Sequence, residues 1–143
     1  MNDSLPRCFF QGDENFSNVL LDGEQHFAGL IDFNLAGTEE IVNRLANLAC
    51  FDFDEALLEQ GKAAEAFELA VKGYRQNAEL MLSVYNASEL EREAMALYAW
   101  IVLVSSWQNF CFFKYVLNKT ETQSAALKLM EIIADANEAK LAV

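Results

Sequence analysis

The sequence has little proline, glycine, cysteine or histidine, and each scarcity limits what the chain can be. Its 143 residues include one proline and six glycines, which leaves little room for long disordered linkers. Three cysteines, Cys8, Cys50 and Cys111, lie far apart without a Cys-x-x-Cys pair. They indicate reduced core residues, and they argue against a disulfide framework or a zinc site. A lone histidine, His26, cannot build a histidine metal site and is expected at the surface.

Basic residues are also scarce. Ten Lys and Arg stand against 22 Asp and Glu, giving a net charge of −12. A nucleic-acid-binding protein needs clustered basic side chains, so this class is excluded. The acidic surface either attracts a cationic substrate by electrostatic steering or simply keeps an apolar chain soluble. The composition leaves both interpretations open.

Residues 1–7 lack the basic start and apolar run of a secretory signal, so we expect a cytoplasmic protein. The segment 94–113 carries no charge and is long enough to raise the question of a membrane span. Polar residues interrupt its middle, namely Ser105, Ser106, Gln108 and Asn109. We therefore expect the central helix of a helical bundle, buried almost all round, and no membrane contact.

Acids and amides concentrate between Gln11 and Phe33, around a predicted β-hairpin. Two short apolar segments flank the turn 22–25, whose Asp-Gly pair is expected to supply the positive-φ positions of a tight reversal. A hairpin brings its outer ends together. Asn18 and Asp32 should therefore lie side by side, with Asp13 on the adjoining loop.

These three side chains suit phosphoryl transfer. Magnesium prefers hard oxygen ligands and usually takes only one or two carboxylates from a protein. Asn18 and Asp32 can fill that role. Asp13 is placed to orient a substrate hydroxyl and to accept its proton. The sequence therefore predicts a magnesium site at the foot of the hairpin, with a catalytic acid beside it.

The order Gly-Asp-x-x-x-x-Asn, hairpin, Ile-Asp-Phe resembles the catalytic core of the aminoglycoside phosphotransferase and choline kinase-like family, relatives of the protein kinases. Matching positions are Gly12, Asp13, Asn18, Asp32 and Phe33, and the resemblance continues into Leu45-Ala46. It implies Mg²⁺ and ATP as cofactors, Asp13 as the catalytic residue, and Asn18 and Asp32 as metal ligands.

The chain departs from the family pattern at two positions. Gln11 stands where a histidine is common, and Arg44 stands where an acid is usual. With Gly12, Gln11 is expected to support the catalytic loop. Asn34 and Glu39 follow the second metal acid, where the family receives its substrate. As an alternative to substrate binding, Asn34 is simply a turn residue and Glu39 is a charge at the start of a helix.

The remainder of the chain predicts helices, giving a mainly α fold with a small β-hairpin (α+β). We expect a single domain over 1–143, with the catalytic-type loop and metal-binding hairpin at 8–37 and a helical subdomain at 38–143. This layout resembles the C-terminal lobe of a protein kinase-like fold. The first expected helix spans 39–50 with Thr38 as N-cap, and a short second helix is capped by Asp52 and ends near Gly61. A third helix is expected at 62–85. A fourth begins at the Ser88–Glu91 capping box, and the last runs from Thr120 to about Ala139.

The N-terminal nucleotide lobe of such a kinase is absent from this sequence. No Gly-x-Gly loop occurs, and no lysine precedes Asp13. We therefore expect a truncated or split ATP-dependent phosphotransferase lobe that is inactive alone. Its acceptor is expected to be a small hydroxylated molecule, and the acidic charge balance favours a cationic one. Its partner would be the missing lobe, or a second copy bound through exposed apolar surface.

Two alternatives stay open. The chain is a non-catalytic helical binding or oligomerisation module derived from a kinase lobe, or a ligand-binding helical protein with an unrelated hairpin. The last alternative would separate Asp13, Asn18 and Asp32 by more than about 10 Å, too far for one magnesium ion.

Overall fold

The computed structural model describes residues 5–12, 16–136 and 141. These form two compact units, Met1–Arg44 and Leu45–Val143. Helices predominate and the β-structure is small, which confirms the predicted fold class.

The described residues of the first unit form two antiparallel strand pairs. One pair is the predicted hairpin, and the other joins the segments that precede and follow it. The strands are β1 Arg7–Phe10, β2 Val19–Leu21, β3 Phe27–Leu30 and β4 Gly37–Glu40, with β1 on β4 and β2 on β3. A short 3-10 helix, Phe16–Asn18, leads directly into β2.

The hairpin turn is held by a side chain. The Asp22 carboxylate accepts hydrogen bonds from the backbone N–H groups of Glu24 (2.8 Å) and His26 (2.9 Å), as Asx turns do. These two bonds lower the pKa of Asp22. The positive φ lies at Gln25 (67°). The prediction that Asp22-Gly23 supplies it is therefore wrong, while His26 is at the surface as expected.

The segment predicted to begin the first helix is a strand instead. β4 pairs with β1 in the register Arg7↔Glu40 to Phe10↔Gly37, and the Arg7 guanidinium lies 2.8 Å from the Glu40 carboxylate. Phe10 packs against Gly37 so closely that a Cβ there would lie 3.0 Å from its ring. Backbone pairing and this packing override the local helix signal, so Thr38 is not an N-cap.

Six helices follow in the part of the chain that the structure describes. They are α1 Ile41–Ala49, which crosses the division between the units, α2 Glu55–Glu59, α3 Ala63–Tyr85, α4 Glu89–Ser105, α5 Trp107–Leu117 and α6 Gln123–Ala134. In the second unit, α3 packs against α2 and α6, and α5 also packs on α6. Large side chains with less than 2% exposure form the core of the second unit, among them Phe51, Leu58, Tyr74, Leu82, Met95, Leu103 and Leu129.

The predicted helix starts are confirmed in part. The Ser88–Glu91 capping box is formed at α4. α2 is capped by Asp54, two residues after the expected Asp52. α6 begins after Thr122, not Thr120, because the buried Thr122 hydroxyl donates to the Val116 carbonyl (2.6 Å). α6 ends at Ala134, and residues 137–139 of its predicted extent lie outside the described residues.

The prediction that the three cysteines are core residues is wrong. Cys111 is exposed, while Cys8 and Cys50 are partly exposed, and all three are free thiols. Burial is nevertheless enough to raise the pKa of the Cys8 and Cys50 thiols.

The uncharged segment 94–113 is not one buried helix. Ser106 has an extended backbone (ψ 142°), ends α4 and caps α5 by accepting the Asn109 N–H (3.2 Å). The buried Asn109 amide then donates to the Leu103 (3.0 Å) and Val102 (3.4 Å) carbonyls. Within the described residues, the stretch Glu89–Leu117 is long and apolar enough to span a membrane, and only 22% of its most apolar part is buried. The expectation of burial almost all round is therefore wrong.

Tyr74 provides a test of the core. Its ring stacks on Phe51 with centroids 4.2 Å apart. Its buried hydroxyl has no hydrogen-bond partner among the described residues, and burial raises its pKa. A buried hydroxyl without a partner costs about 1–3 kcal/mol. Tyr74→Phe is therefore expected to increase the free energy of unfolding in urea by about 1 kcal/mol.

The matched control is Tyr115→Phe, since the Tyr115 side chain is exposed. That variant should change the unfolding free energy by less than about 0.5 kcal/mol. A destabilised Tyr74→Phe variant would show that the hydroxyl contributes a favourable bond.

Candidate functional site

The foot of the β2–β3 hairpin is the open end of the strand pair, opposite the turn at 22–25. Val19 pairs with Leu30, and the Ile31 N–H donates to the Asn18 carbonyl (2.9 Å). Asn18, the last residue of the 3-10 helix, thus comes immediately before β2, and Asp32 lies one residue beyond Ile31, the cross-strand neighbour of Asn18. Asn18 is buried and Asp32 is exposed.

Asp32 is held by hydrogen bonds on its backbone and its side chain. Its φ of 60° is in the left-handed region, which is unfavourable for a residue with a Cβ and occurs often at functional sites. The Asn34 amide donates to the Asp32 carboxylate (2.6 Å). The Gln11 amide donates to the Asp32 carbonyl (2.9 Å) and to the Ile31 carbonyl (3.3 Å).

The Gln11-Gly12 segment is fixed by close packing. Gln11 is 5% exposed, and the Gly12 N–H donates to the Leu35 carbonyl (3.1 Å). A Cβ at position 12 would lie 2.4 Å from that carbonyl oxygen, so only glycine fits. Asp13 comes next in the chain and lies outside the described residues. The structure therefore describes two of the three predicted catalytic and metal-binding residues.

Arg44 contacts the same segment, a role that the sequence did not reveal. Its guanidinium donates to the Gln11 carbonyl (3.1 Å), lies 3.8 Å from the Glu39 carboxylate and sits 5.4 Å from the centroid of the Phe10 ring. Burial lowers the Arg44 pKa. The only sequence signal was a basic residue where related chains carry an acid, and it did not indicate a partner.

Glu39 lies in β4 with its side chain largely buried. Besides its ion pair with Arg44, it accepts a hydrogen bond from Asn43. Burial raises the pKa of the Glu39 carboxyl. Its expected position at a helix start is wrong. Asn34 is exposed, and its amide is bonded to Asp32.

The donor set at the hairpin foot fits magnesium by its chemistry. Asp32 offers an exposed carboxylate, and Asn18 is an amide residue immediately before β2, both of the hard oxygen type that Mg²⁺ prefers. No group of three His, Cys, Asp or Glu gathers anywhere in the described part of the chain. An ion at this foot would thus be held by few protein groups, which leaves coordination positions for water and phosphate oxygens.

Comparison with known proteins identifies the family. The sequence model of the phosphotransferase enzyme family matches residues 1–80, more than half of the chain. The chain belongs to that family. The matched residues include the hairpin, α1, α2 and much of α3. This confirms the resemblance read from the Gly-Asp and Ile-Asp-Phe motifs. No curated protein and no solved structure matches the chain.

Gln11 can be tested as the support of this site. In Gln11→Leu the Ile31 and Asp32 carbonyls lose the donor described above, and each lost hydrogen bond of this kind costs about 0.5–1.5 kcal/mol. We expect the Ile31 amide proton, which bonds Asn18, to exchange with solvent roughly tenfold faster or more in hydrogen-exchange NMR.

Gln76→Leu is the control, because Gln76 is exposed on α3 and the same amide is lost. Its Ile31 exchange rate should equal that of the unmodified chain. Unchanged exchange in Gln11→Leu would exclude Gln11 as a support of the hairpin foot.

Proposed function

We propose that this chain is the acceptor-side, C-terminal lobe of an ATP-dependent small-molecule phosphotransferase. The observation that carries the proposal is the hairpin, which brings Asn18 and Asp32 to one end of a β-ribbon in a chain of the phosphotransferase family. Phosphoryl transfer depends mainly on positioning and charge neutralisation, and such a site supplies both.

Each candidate residue has a proposed role. Asp13 orients the acceptor hydroxyl and takes its proton. Asn18 and Asp32 hold Mg²⁺, which when bound neutralises charge on the ATP phosphates. Gln11, together with Gly12, fixes the loop that carries Asp13.

Two further residues belong to the acceptor side in this proposal. Asn34 orients the Asp32 carboxylate through its 2.6 Å hydrogen bond. Glu39 is the proposed carboxylate of the acceptor site, and Arg44 and Asn43 hold its side chain in place. The net charge of −12 favours a cationic hydroxylated acceptor through electrostatic steering.

A nucleotide-binding lobe supplied by other sequence is the proposed partner of the first unit. Exposed apolar patches usually mark interfaces, and this unit exposes many large apolar side chains around the hairpin. These are Phe9, Leu20, Leu21, Phe27, Leu30, Ile31, Phe33 and Leu35. Without that lobe to position ATP, the chain by itself is inactive. Consumption of ATP and three free thiols suit a cytoplasmic location.

A second candidate is a non-catalytic helical module for binding or oligomerisation, derived from a kinase lobe. The observation that favours it is the apolar surface that α4 and α5 expose, with Trp107 at 75% exposure. This role needs no bound ion or nucleotide.

Paramagnetic Mn²⁺, a substitute for Mg²⁺, tests the first proposal. In ¹⁵N-resolved NMR spectra of the chain, low Mn²⁺ concentrations should broaden the amide signals of residues 16–20 and 30–34 before all others, and excess Mg²⁺ should restore them. Broadening spread over the acidic surface, or none at the hairpin foot, would overturn the catalytic proposal and leave the second candidate standing.

A further inference from the structure

The second unit exposes an uncharged apolar face, here called the α4–α5 face. Segment 94–113, which supplies most of it, contains no charged residue in a chain with net charge −12. Its side chains are between 39% and 75% exposed, and they are Leu97, Ile101, Val104, Trp107, Phe110 and Met130. A contiguous patch of this kind usually marks an interaction surface.

Trp107 projects from this face. It is the most exposed side chain of the group, and its ring stacks on Phe110 with centroids 5.3 Å apart and planes 25° from parallel. Stacking restricts the indole, so burying it against a partner loses little further freedom. Exposed Trp side chains that fill a partner's pocket are frequent binding hot spots.

A cavity opens on the same face. It has a volume of about 320 Å³, and Val104, Phe110 and Met130 are among its lining residues. Phe110 therefore belongs to both features, since it stacks on Trp107 and also lines the cavity. The projecting ring and the hollow are direct neighbours on one surface.

We infer that the α4–α5 face joins two copies of this chain in a two-fold symmetric dimer, with Trp107 of each copy seated in the other's cavity. A two-fold interface uses the same patch on both subunits, so the patch must complement itself. A projection beside a hollow meets that requirement. The inference deepens the second proposed role and does not depend on ion binding at the hairpin foot.

Charge favours a second copy over other occupants. Two copies of a strongly acidic chain repel wherever their acidic surfaces meet, and this uncharged face lets them approach with the least repulsion. A strongly acidic chain is also repelled by anionic lipid surfaces. The polar break at Ser106 and the buried Asn109 further disfavour a lipid environment for the α4–α5 junction.

The exposed area is of the right size. At about 200 Å² for each large side chain, the exposed fractions of the six residues amount to roughly 600 Å². A standard-size interface buries about 800 Å² on each partner. Apolar atoms of the cavity wall add to the first figure, so the face is sufficient for a dimer of moderate affinity.

Sedimentation equilibrium of the full chain between about 1 and 500 μM tests the dimer. The unmodified chain should reach the dimer mass, and Trp107→Ala should weaken the dimer at least about 30-fold, since truncating a hot-spot residue costs about 2 kcal/mol or more and about 1.4 kcal/mol is tenfold. Val104→Lys is a second variant that places a charge at the cavity. Circular dichroism verifies that both variants stay folded. Leu80→Ala is the matched control, because Leu80 is a comparably exposed apolar residue of α3, and it should leave the dimer unchanged.

A spectroscopic readout identifies the face directly. The chain has two tryptophans, so 5-fluorotryptophan gives two ¹⁹F signals, of which Trp107→Phe assigns one. Only the Trp107 signal should move strongly on dilution. A chain that stays monomeric up to 500 μM overturns the inference, and so does a dimer that persists in both Trp107→Ala and Val104→Lys. A monomer that sediments with phosphatidylcholine vesicles also overturns it, in favour of a lipid surface.

Discussion

Asp32→Asn is expected to weaken Mn²⁺ binding at the hairpin foot by about 10- to 100-fold, because the ion loses its one exposed carboxylate ligand from the described part of the site. The local fold should survive. An asparagine side-chain oxygen still accepts the hydrogen bond from Asn34, and the Gln11 amide bonds the backbone of residue 32 in any case. Titration of the amide broadening of residues 16–20 and 30–34 measures the affinity.

Asp22→Asn is the matched control for this change. Asp22 lies in the same hairpin at its opposite end, the charge change is identical, and an asparagine still accepts the two turn hydrogen bonds. If both variants weaken binding equally, Mn²⁺ is attracted only by the general acidity of the chain. In an assembled enzyme with its nucleotide lobe, Asp32→Asn should remove nearly all turnover, whereas Asp22→Asn should retain it.

Asn109→Leu is expected to destabilise the second unit by about 1–3 kcal/mol. The Asn109 amide donates to the Val102 and Leu103 carbonyls at the end of α4, and both of those residues are buried. The Val102 carbonyl also accepts the Ser106 N–H (3.0 Å) and keeps that bond. The last carbonyls of a helix have no partner within the helix, so the substitution leaves the Leu103 carbonyl without its donor. Urea unfolding followed by circular dichroism measures the loss.

Gln108→Leu provides the comparison, since it removes the same amide one residue earlier from an exposed position. It should alter stability by less than about 0.5 kcal/mol. If Asn109→Leu is as stable as Gln108→Leu, the Leu103 carbonyl finds another donor in the variant. That result would show that the Asn109 amide does not stabilise the junction between α4 and α5.

Sequence reasoning located the hairpin and the starts of α3 and α4 because those signals are local. Val19–Leu21 and Phe27–Leu30 flank a turn, and Ser88 with Glu91 forms the cap of α4 within four residues. Signals of this kind fail where a distant segment competes. Thr38-Glu39-Glu40 reads as a helix start, yet these residues pair with partners in β1 that lie 29 to 33 positions away in sequence.

Sequence also found the family, since the motifs between Gln11 and Phe33 follow a fixed spacing that a hairpin brings together. It did not find Arg44 as an anchor of Gln11. A single hydrogen bond between residues 33 positions apart leaves no periodic pattern. The Gln11 contact with Asp32 was anticipated only as general support of the loop.

By itself the sequence determined the mainly helical composition and the membership in the phosphotransferase family, because composition, short-range caps and motif spacing are properties of neighbouring residues. Only the tertiary structure decided that Gly37–Glu40 is a strand, that Ser106 divides the apolar segment, and which face of that segment stays exposed. Such outcomes depend on which distant groups satisfy the backbone and how much apolar area the neighbouring helices can cover.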